Sequence, residues 1–197
     1  MTRWPRLVRT AGVVILLMSA GVSSARAQQF KLVGGVTLGT VASDGDVVTS
    51  RLPGAVFGGG LEWALGRVSP EVDVLWIQKR ARYDSRAWDF TVSEISVPFV
   101  VAVRSGGRIA PFLLAGAEAA FILSAAQEDS WGGRRITYET PTLDYGLVIG
   151  GGIGFAVGRR RLSVEARYLH GLTRTMKFFS DGYDFRTRTV VITASLQ

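Results

Sequence analysis

The stretch Leu162-Ser163-Val164-Glu165-Ala166-Arg167-Tyr168 decides the fold. Leu162, Val164, Ala166 and Tyr168 fall in one phase, and Ser163, Glu165 and Arg167 in the other. Successive side chains of an extended backbone leave opposite faces, so this alternation predicts a β-strand with one apolar and one polar face. The phase recurs in segments of ten or more residues between glycine-rich or polar breaks. Strands are predicted over 30–41, 55–65, 70–81, 88–103, 109–123, 143–157, 161–173 and 185–197. Gly66-Arg67, Arg104-Ser105-Gly106-Gly107-Arg108 and Gly158-Arg159-Arg160 read as tight turns, whereas 42–54, 82–87, 124–142 and 174–184 are mostly longer and more polar.

Alternation alone does not say which face is inside. Ten residues at about 3.3 Å each, tilted by about 40°, rise roughly 25 Å, the height of the apolar band of a bacterial outer-membrane barrel. Strands of soluble sheets are commonly only about five or six residues long. The expected fold is therefore all-β, an eight-stranded antiparallel up-and-down transmembrane β-barrel with short periplasmic turns and longer outer loops. A soluble β-sandwich or lipocalin-like barrel is the competing architecture.

An export signal is expected over residues 1–27, ahead of a barrel domain at 28–197. Arg3, Arg6 and Arg9 form a positive n-region, Ala11 to Ala20 an apolar core, and Ala25-Arg26-Ala27 a small-x-small cleavage site at Ala25 and Ala27. The alternative, a membrane anchor, needs a run long enough to cross about 30 Å of hydrocarbon, and this run is too short. Four of the 23 basic residues lie in this segment, which leaves 19 against 16 acids, a charge of +3. So small and unclustered an excess argues against a nucleic-acid partner. Cysteine is absent, which excludes disulfides, thiolate metal sites and lipoprotein acylation.

An ionised side chain facing lipid near the midplane costs about 2–4 kcal/mol for a base, so the charged residue of each strand fixes its phase. Lys31, Val33, Gly35 and Thr37 are then inward, with Leu32, Val36 and Leu38 outward. Gly60 and Glu62 point in, with Phe57, Leu61, Trp63 and Leu65 out. Glu71 and Asp73 place Val72, Val74 and Trp76 on lipid; Glu94 and Ser96 do so for Ile95, Val97, Phe99 and Val101. Pro98 lacks an amide hydrogen, and a bulge is expected there. Glu118 alone sets the fifth strand. In the sixth, Asp144, Gly146, Gly150, Gly152 and Gly154 face in; this glycine line is expected to make room for Arg167 of the next strand.

The expected lumen network is thus Lys31, Glu62, Glu71, Asp73, Glu94, Glu118, Asp144, Glu165 and Arg167, with Lys79 a further candidate. In so narrow an interior, buried charges persist only when paired or hydrogen-bonded, which predicts a polar plug. The excess of acids leaves a cation path as the alternative. Trp63 and Phe155 near the turns, and Trp88, Phe90, Phe178, Phe179, Tyr183 and Phe185 near the loops, suit two interfacial girdles.

Several segments resemble a known family. Ser69-Pro70-Glu71-Val72-Asp73-Val74-Leu75-Trp76-Ile77-Gln78-Lys79 resembles a strand of the PorT-like outer-membrane β-barrel domain that runs Pro-Glu-Leu and ends Gln-Lys. Ile95-Ser96-Val97-Pro98-Phe99, Pro111-Phe112-Leu113-Leu114-Ala115-Gly116, Asp144-Tyr145-Gly146-Leu147-Val148-Ile149-Gly150 and Ser163-Val164-Glu165-Ala166-Arg167-Tyr168 are similar to its other strands, in order. The resemblance implies an eight-stranded outer-membrane barrel without a defined activity; one member is linked to protein secretion. Such barrels usually end in an outward aromatic, whereas here outward Val190, Ile192, Ala194 and Leu196 are followed by Gln197.

No catalytic constellation emerges. His170 is the sole histidine, so a multi-histidine metal site is excluded; in phase with Tyr168 and Leu172, it faces outward. Lipid A deacylase barrels need a base with a nearby serine, and His170-Gly171-Leu172 supplies none. Gln28-Gln29-Phe30 leaves no room for the leading helix of a palmitoyltransferase-type barrel. Ser43-Asp44-Gly45-Asp46 lacks the later glutamate of a calcium loop, and Gly150-Gly151-Gly152-Ile153-Gly154 lies in a strand without the lysine of a phosphate loop. Arg51, Lys79, Arg80, Arg82, Arg86, Gly132-Gly133-Arg134-Arg135, Arg174 and Lys177 could bring bases near lipopolysaccharide phosphates, although nine acids share those loops.

The expected function is a non-enzymatic outer-membrane barrel with a structural or interaction role and no cofactor. A small pore or transport protein, or an accessory component of protein secretion, is the alternative. The expected partners are outer-membrane lipid, lipopolysaccharide and the barrel-assembly machinery.

Overall fold

The computed structural model describes residues 28–43, 49–83, 88–129, 135–137, 143–173, 176–178 and 183–197. The expected export signal lies outside them. The described chain forms strands β1 (Gln28–Ser43), β2 (Thr49–Trp63), β3 (Val68–Tyr83), β4 (Trp88–Arg104), β5 (Ile109–Asp129), β6 (Arg135–Thr137), β7 (Leu143–Val157), β8 (Arg160–Gly171), β9 (Met176–Phe178) and β10 (Tyr183–Leu196). Each long strand pairs antiparallel with the next, and β1 pairs with β10 from Leu32↔Leu196 to Ser43↔Phe185, which closes an eight-stranded barrel. The short β6 and β9 merely extend the hairpins of β5 and β10. No described residue is helical.

Most long strands overrun their expected bounds, chiefly at the loop end; β5 continues to Asp129. Antiparallel pairing supplies the reason: once two strands leave the apolar band together, their ladder satisfies the backbone without an apolar face to bury. At the opposite end the three short turns each hold a glycine with positive φ: Gly66 at 74°, Gly107 at 114° and Gly158 at 64°. Side chains are disfavoured there, which explains why these turns are glycine-bearing.

Polarity is inverted relative to a soluble protein. Lys31, Glu62, Glu71, Asp73 and Glu94 are all 2% exposed or less, whereas Leu113 is 73% and Phe57 and Ile149 each 58% exposed. Leu32, Val74, Phe99, Leu147, Val164 and Ile192 continue this apolar outer wall. So large a contiguous apolar surface over a charged interior suits a lipid surround and excludes a soluble barrel.

The bulge expected at Pro98 is not there. Pro98 pairs in register with Glu118 of β5, and the β3–β4 ladder skips only from Val72↔Phe99 to Leu75↔Ser96 without a change of register. The missing amide hydrogen therefore costs a local pairing, not an extra residue. The register shifts lie elsewhere, at Ser93/Glu94 against β5 and between Leu52 and Val56 against β3. The second brackets Pro53, whose side of the strand cannot donate to β3.

Candidate functional site

The interior is layered. Near the turn end, Glu62 of β2 stands directly opposite Glu71 of β3, and both are fully buried. Like charges so placed repel. Arg104 at the end of β4 resolves the conflict: its Nη2 lies 3.0 Å from Glu62 Oε2 and 2.7 Å from Glu71 Oε1. Its guanidinium also stacks 4.2 Å from the centroid of Phe112, a cation–π contact that suits a donor face lacking further oxygen partners.

From the far wall, Arg167 of β8 reaches across the lumen. Its Nη1 lies 2.8 Å from Asp73 Oδ2 and its Nη2 2.7 Å from Glu165 Oε1. Lys31 of β1 completes the group, with Nζ 2.5 Å from Glu71 Oε2 and 3.0 Å from Asp73 Oδ1. Thr193 Oγ1 donates to Glu165 Oε1 at 3.0 Å, and Gln197 Nε2 donates to Glu62. Four acids, three bases and two neutral donors thus tie β1, β2, β3, β4, β8 and β10 together.

The buried apolar cluster reaches from Ala102 and Phe112 beside Arg104, through Val33, Val100 and Leu114 at the level of this group, to Val56, Leu75, Ile77, Val148, Leu169 and Val191, which lie on its loop side. A second polar cluster lies beyond these. There Lys79 Nζ is 2.7 Å from Glu94 Oε1, and Ser96 Oγ donates to Glu118 Oε2 at 2.8 Å. Asp144 is buried at the same level, opposite Ala120 in the ladder.

Every residue of the expected lumen network is buried, but the structure divides the set in two. Lys31, Glu62, Glu71, Asp73, Glu165 and Arg167 come together; Glu94, Glu118 and Asp144 belong with Lys79 in the other cluster. Arg104, expected in a turn, instead ends β4 and caps the inner group. Its signal was the strand phase itself, since it shares parity with Glu94, Ser96 and Val100.

The glycine line also works otherwise than expected. A β-carbon at Gly150 would meet the Ala166 carbonyl and the Arg167 backbone, so this glycine permits close strand approach rather than housing the Arg167 side chain. The room it was meant to provide appears elsewhere: the Phe112 ring lies over Gly152, and the Glu118 carboxylate over Gly146. Gly60 does the same for Asp73.

Outside the barrel, Phe57 and Trp76 pack with ring centroids 4.9 Å apart, and Trp63 lies at the turn end of β2. Phe179 of the expected outer girdle lies outside the described residues, as do Asp44 and Asp46 and residues 132–134 of the loops. His170 sits on the outer face, its ring 6.2 Å from Tyr168. Among the described residues no cluster of three metal-ligating side chains occurs.

The profile of the outer membrane protein beta-barrel domain family matches residues 12–197. The crystal structure of Neisserial surface protein A (NspA) is similar, at 14% identity and TM-score 0.53, covering 86% of this chain and 98% of that one. OprG from Pseudomonas aeruginosa is similar at 8% identity and TM-score 0.51, covering 86% and 94%. The outer membrane enzyme PagL aligns at 18% identity and TM-score 0.48, covering 84% and 97%. Comparison with curated proteins gives no match. At such identities NspA and OprG establish the fold alone.

Proposed function

This chain belongs to the outer membrane protein β-barrel domain family and resides in the bacterial outer membrane, and from that premise we propose that it is a non-enzymatic barrel with a sealed lumen, acting through its surface. The observation that carries the reading is the seal itself. Arg104 and Arg167 bridge carboxylates from β2, β3 and β8 across the interior, and an apolar layer lies directly beyond them. A water-filled path would need that layer parted and those pairs broken, each at a cost of several kcal/mol. Its role is then structural or one of interaction, with lipopolysaccharide phosphates as the expected contact of the outer loops. The export signal is removed after Ala27, and the barrel-assembly machinery inserts the mature chain.

The test is conductance of the purified protein in planar bilayers. The expected record is a closed baseline; large, stable single-channel currents overturn the reading. One observation favours a second function, a small cation pore: Glu94, Glu118 and Asp144 are buried together with Lys79 on the loop side of the lumen. Cation-selective steps that fall in Glu118→Gln would establish it. Within the family, the strands over 69–79, 95–99, 111–116, 144–150 and 163–168 support a PorT-like assignment and, with it, an accessory role in protein secretion. Loss of secreted protein on deletion of the gene, restored by the intact gene, would support that role.

A further inference from the structure

The charge on the periplasmic rim is sorted by sign. Residues 63–70, 95–117 and 145–164, which contain the three short turns, hold no Asp or Glu. They do hold Arg67, Arg108, Arg159 and Arg160, all exposed, and the half-buried Arg161. The acids nearest in space along these strands, Glu62, Glu71 and Glu165, are buried in the lumen and already engaged by Arg104, Lys31 and Arg167. None of the rim arginine side chains has an Asp or Glu partner among the described residues, although the Arg161 amide donates to the Gln197 main-chain O at 3.2 Å.

These turns are neighbours. The Arg104 amide donates to the Arg67 carbonyl at 2.8 Å, and the Ala156 amide to the Arg108 carbonyl at 2.9 Å, so the turns form one arc under β2, β3, β4, β5, β7 and β8. Above this arc the lipid-facing wall carries a groove of about 620 Å³. Its lining includes Val103, Leu113, Ala115, Ile149, Ala166 and Tyr168. It opens at Val103↔Leu113, four residues above Ile109, where the Arg108 turn begins. That separation is roughly 13 Å along the strand.

We propose that this wall and rim form a seat for an anionic glycerophospholipid of the inner leaflet, its acyl chain in the groove and its phosphate on Arg108, Arg159 and Arg160. Guanidinium groups pair with phosphate through two parallel donors, and an arc of one sign attracts anionic headgroups over neutral ones. The groove lies in the hydrocarbon and takes an acyl chain from the same molecule. The seat depends on the outer-membrane placement and not on whether the lumen conducts.

The test uses the mature protein in nanodiscs of phosphatidylcholine doped with spin-labelled phosphatidylglycerol or spin-labelled phosphatidylcholine. The immobilised fraction of each label is read by electron paramagnetic resonance. Phosphatidylglycerol is expected to be favoured by about threefold or more at low salt, and the preference to collapse between about 50 mM and about 0.5 M salt as charges are screened. Arg108→Gln/Arg159→Gln/Arg160→Gln removes the preference and leaves phosphatidylcholine unchanged. Ala166→Phe, which adds a ring to the groove lining, lowers the immobilised fraction of both labels.

Equal immobilisation of the two lipids, or a preference that survives the triple substitution, overturns the proposal. Should the triple variant not assemble, the salt titration of the unsubstituted protein decides alone, and a salt-independent ratio overturns it. A dimer in the nanodisc that vanishes with Ala166→Phe would assign the groove to a second copy instead. Displacement of the lipid by soluble acidic peptidoglycan fragments would assign the rim to the cell wall. Either result replaces the lipid.

Discussion

Replacing Arg104 with alanine is expected to destabilise the barrel by about 3–5 kcal/mol. Glu62 and Glu71 stand opposite one another in the β2–β3 ladder, with Arg104 Nη2 3.0 and 2.7 Å from their oxygens. Directly opposed residues have β-carbons about 5 Å apart. Two unit charges at about that distance repel by about 3 kcal/mol at an effective dielectric of about 20. Removing one member of a buried ion pair typically costs about 3–5 kcal/mol, which brackets the same figure. The cation–π contact with Phe112 adds to the loss. Urea unfolding of protein refolded into phospholipid vesicles, followed by tryptophan fluorescence, measures it. Arg104→Ala/Glu62→Gln provides the control, because neutralising one carboxylate removes the repulsion; about half the lost stability should return. An Arg104→Ala midpoint equal to that of the parent, or a double variant no more stable than the single, refutes the bridging role.

Three further outcomes follow from the same geometry. Arg167→Ala leaves Asp73 and Glu165 facing each other without their bridge and is expected to cost about 3–5 kcal/mol in the same urea assay. Arg at Val164 or Ile149 is expected to impair assembly by about 2–4 kcal/mol, whereas cysteines at 149 and 164, but not at 163, should react with a lipid-confined probe. Glu71→Gln removes a carboxylate shared by Lys31, Arg104 and Arg167 and should lower the urea midpoint strongly. Glu118→Gln, in a cluster already rich in acids, should leave it within about 1 kcal/mol of the parent or raise it; equal losses in the two would show that the clusters do not differ in balance.

The strand phases were legible because every long strand but β10 carries an inward charge whose exposure to lipid is prohibitive; β10 is oriented only by Thr189, Thr193 and Ser195 against Ile192 and Leu196. Glu118 alone was enough to orient β5, although Phe112 and Leu114 on its inner face are as apolar as Leu113 on its outer one. What could not be read is how the inward residues stack along the barrel axis. That depends on strand stagger, which places Glu62 level with Glu71 but puts Glu94 beside Lys79 on the far side of an apolar layer. Counting inward charges alone also hid Val148, Leu169 and Val191, which make that layer. Arg104 was missed for a local reason: Ser105, Gly106 and Gly107 follow it, and their turn signal outweighed a phase that continued one residue further. Pro98 misled in the opposite direction, because a strand can lose one donor without inserting a residue.

The two polar clusters differ in a way that bears on how the barrel is built. The periplasmic group sets four carboxylates against three bases, and Thr193 and Gln197 donate to two of those carboxylates. It gathers residues from β1 through β10, so it is complete only once the last strand has closed on the first. Until then Glu71 and Asp73 lack Arg167 of β8, and Glu62 lacks Gln197 at the end of β10, and a buried charge without its partner is strongly unfavourable. In the outer cluster the Lys79–Glu94 ion pair and the Ser96–Glu118 hydrogen bond join β3, β4 and β5, which are consecutive in the sheet, and these contacts form without closure. Closure is therefore rewarded mainly at the periplasmic end, where the start of β1 meets the end of β10. The aromatic-poor end of β10 does not weaken that logic, because Thr193 and Gln197 join the network through polar atoms that face inward, while Ile192 and Leu196 stay on lipid.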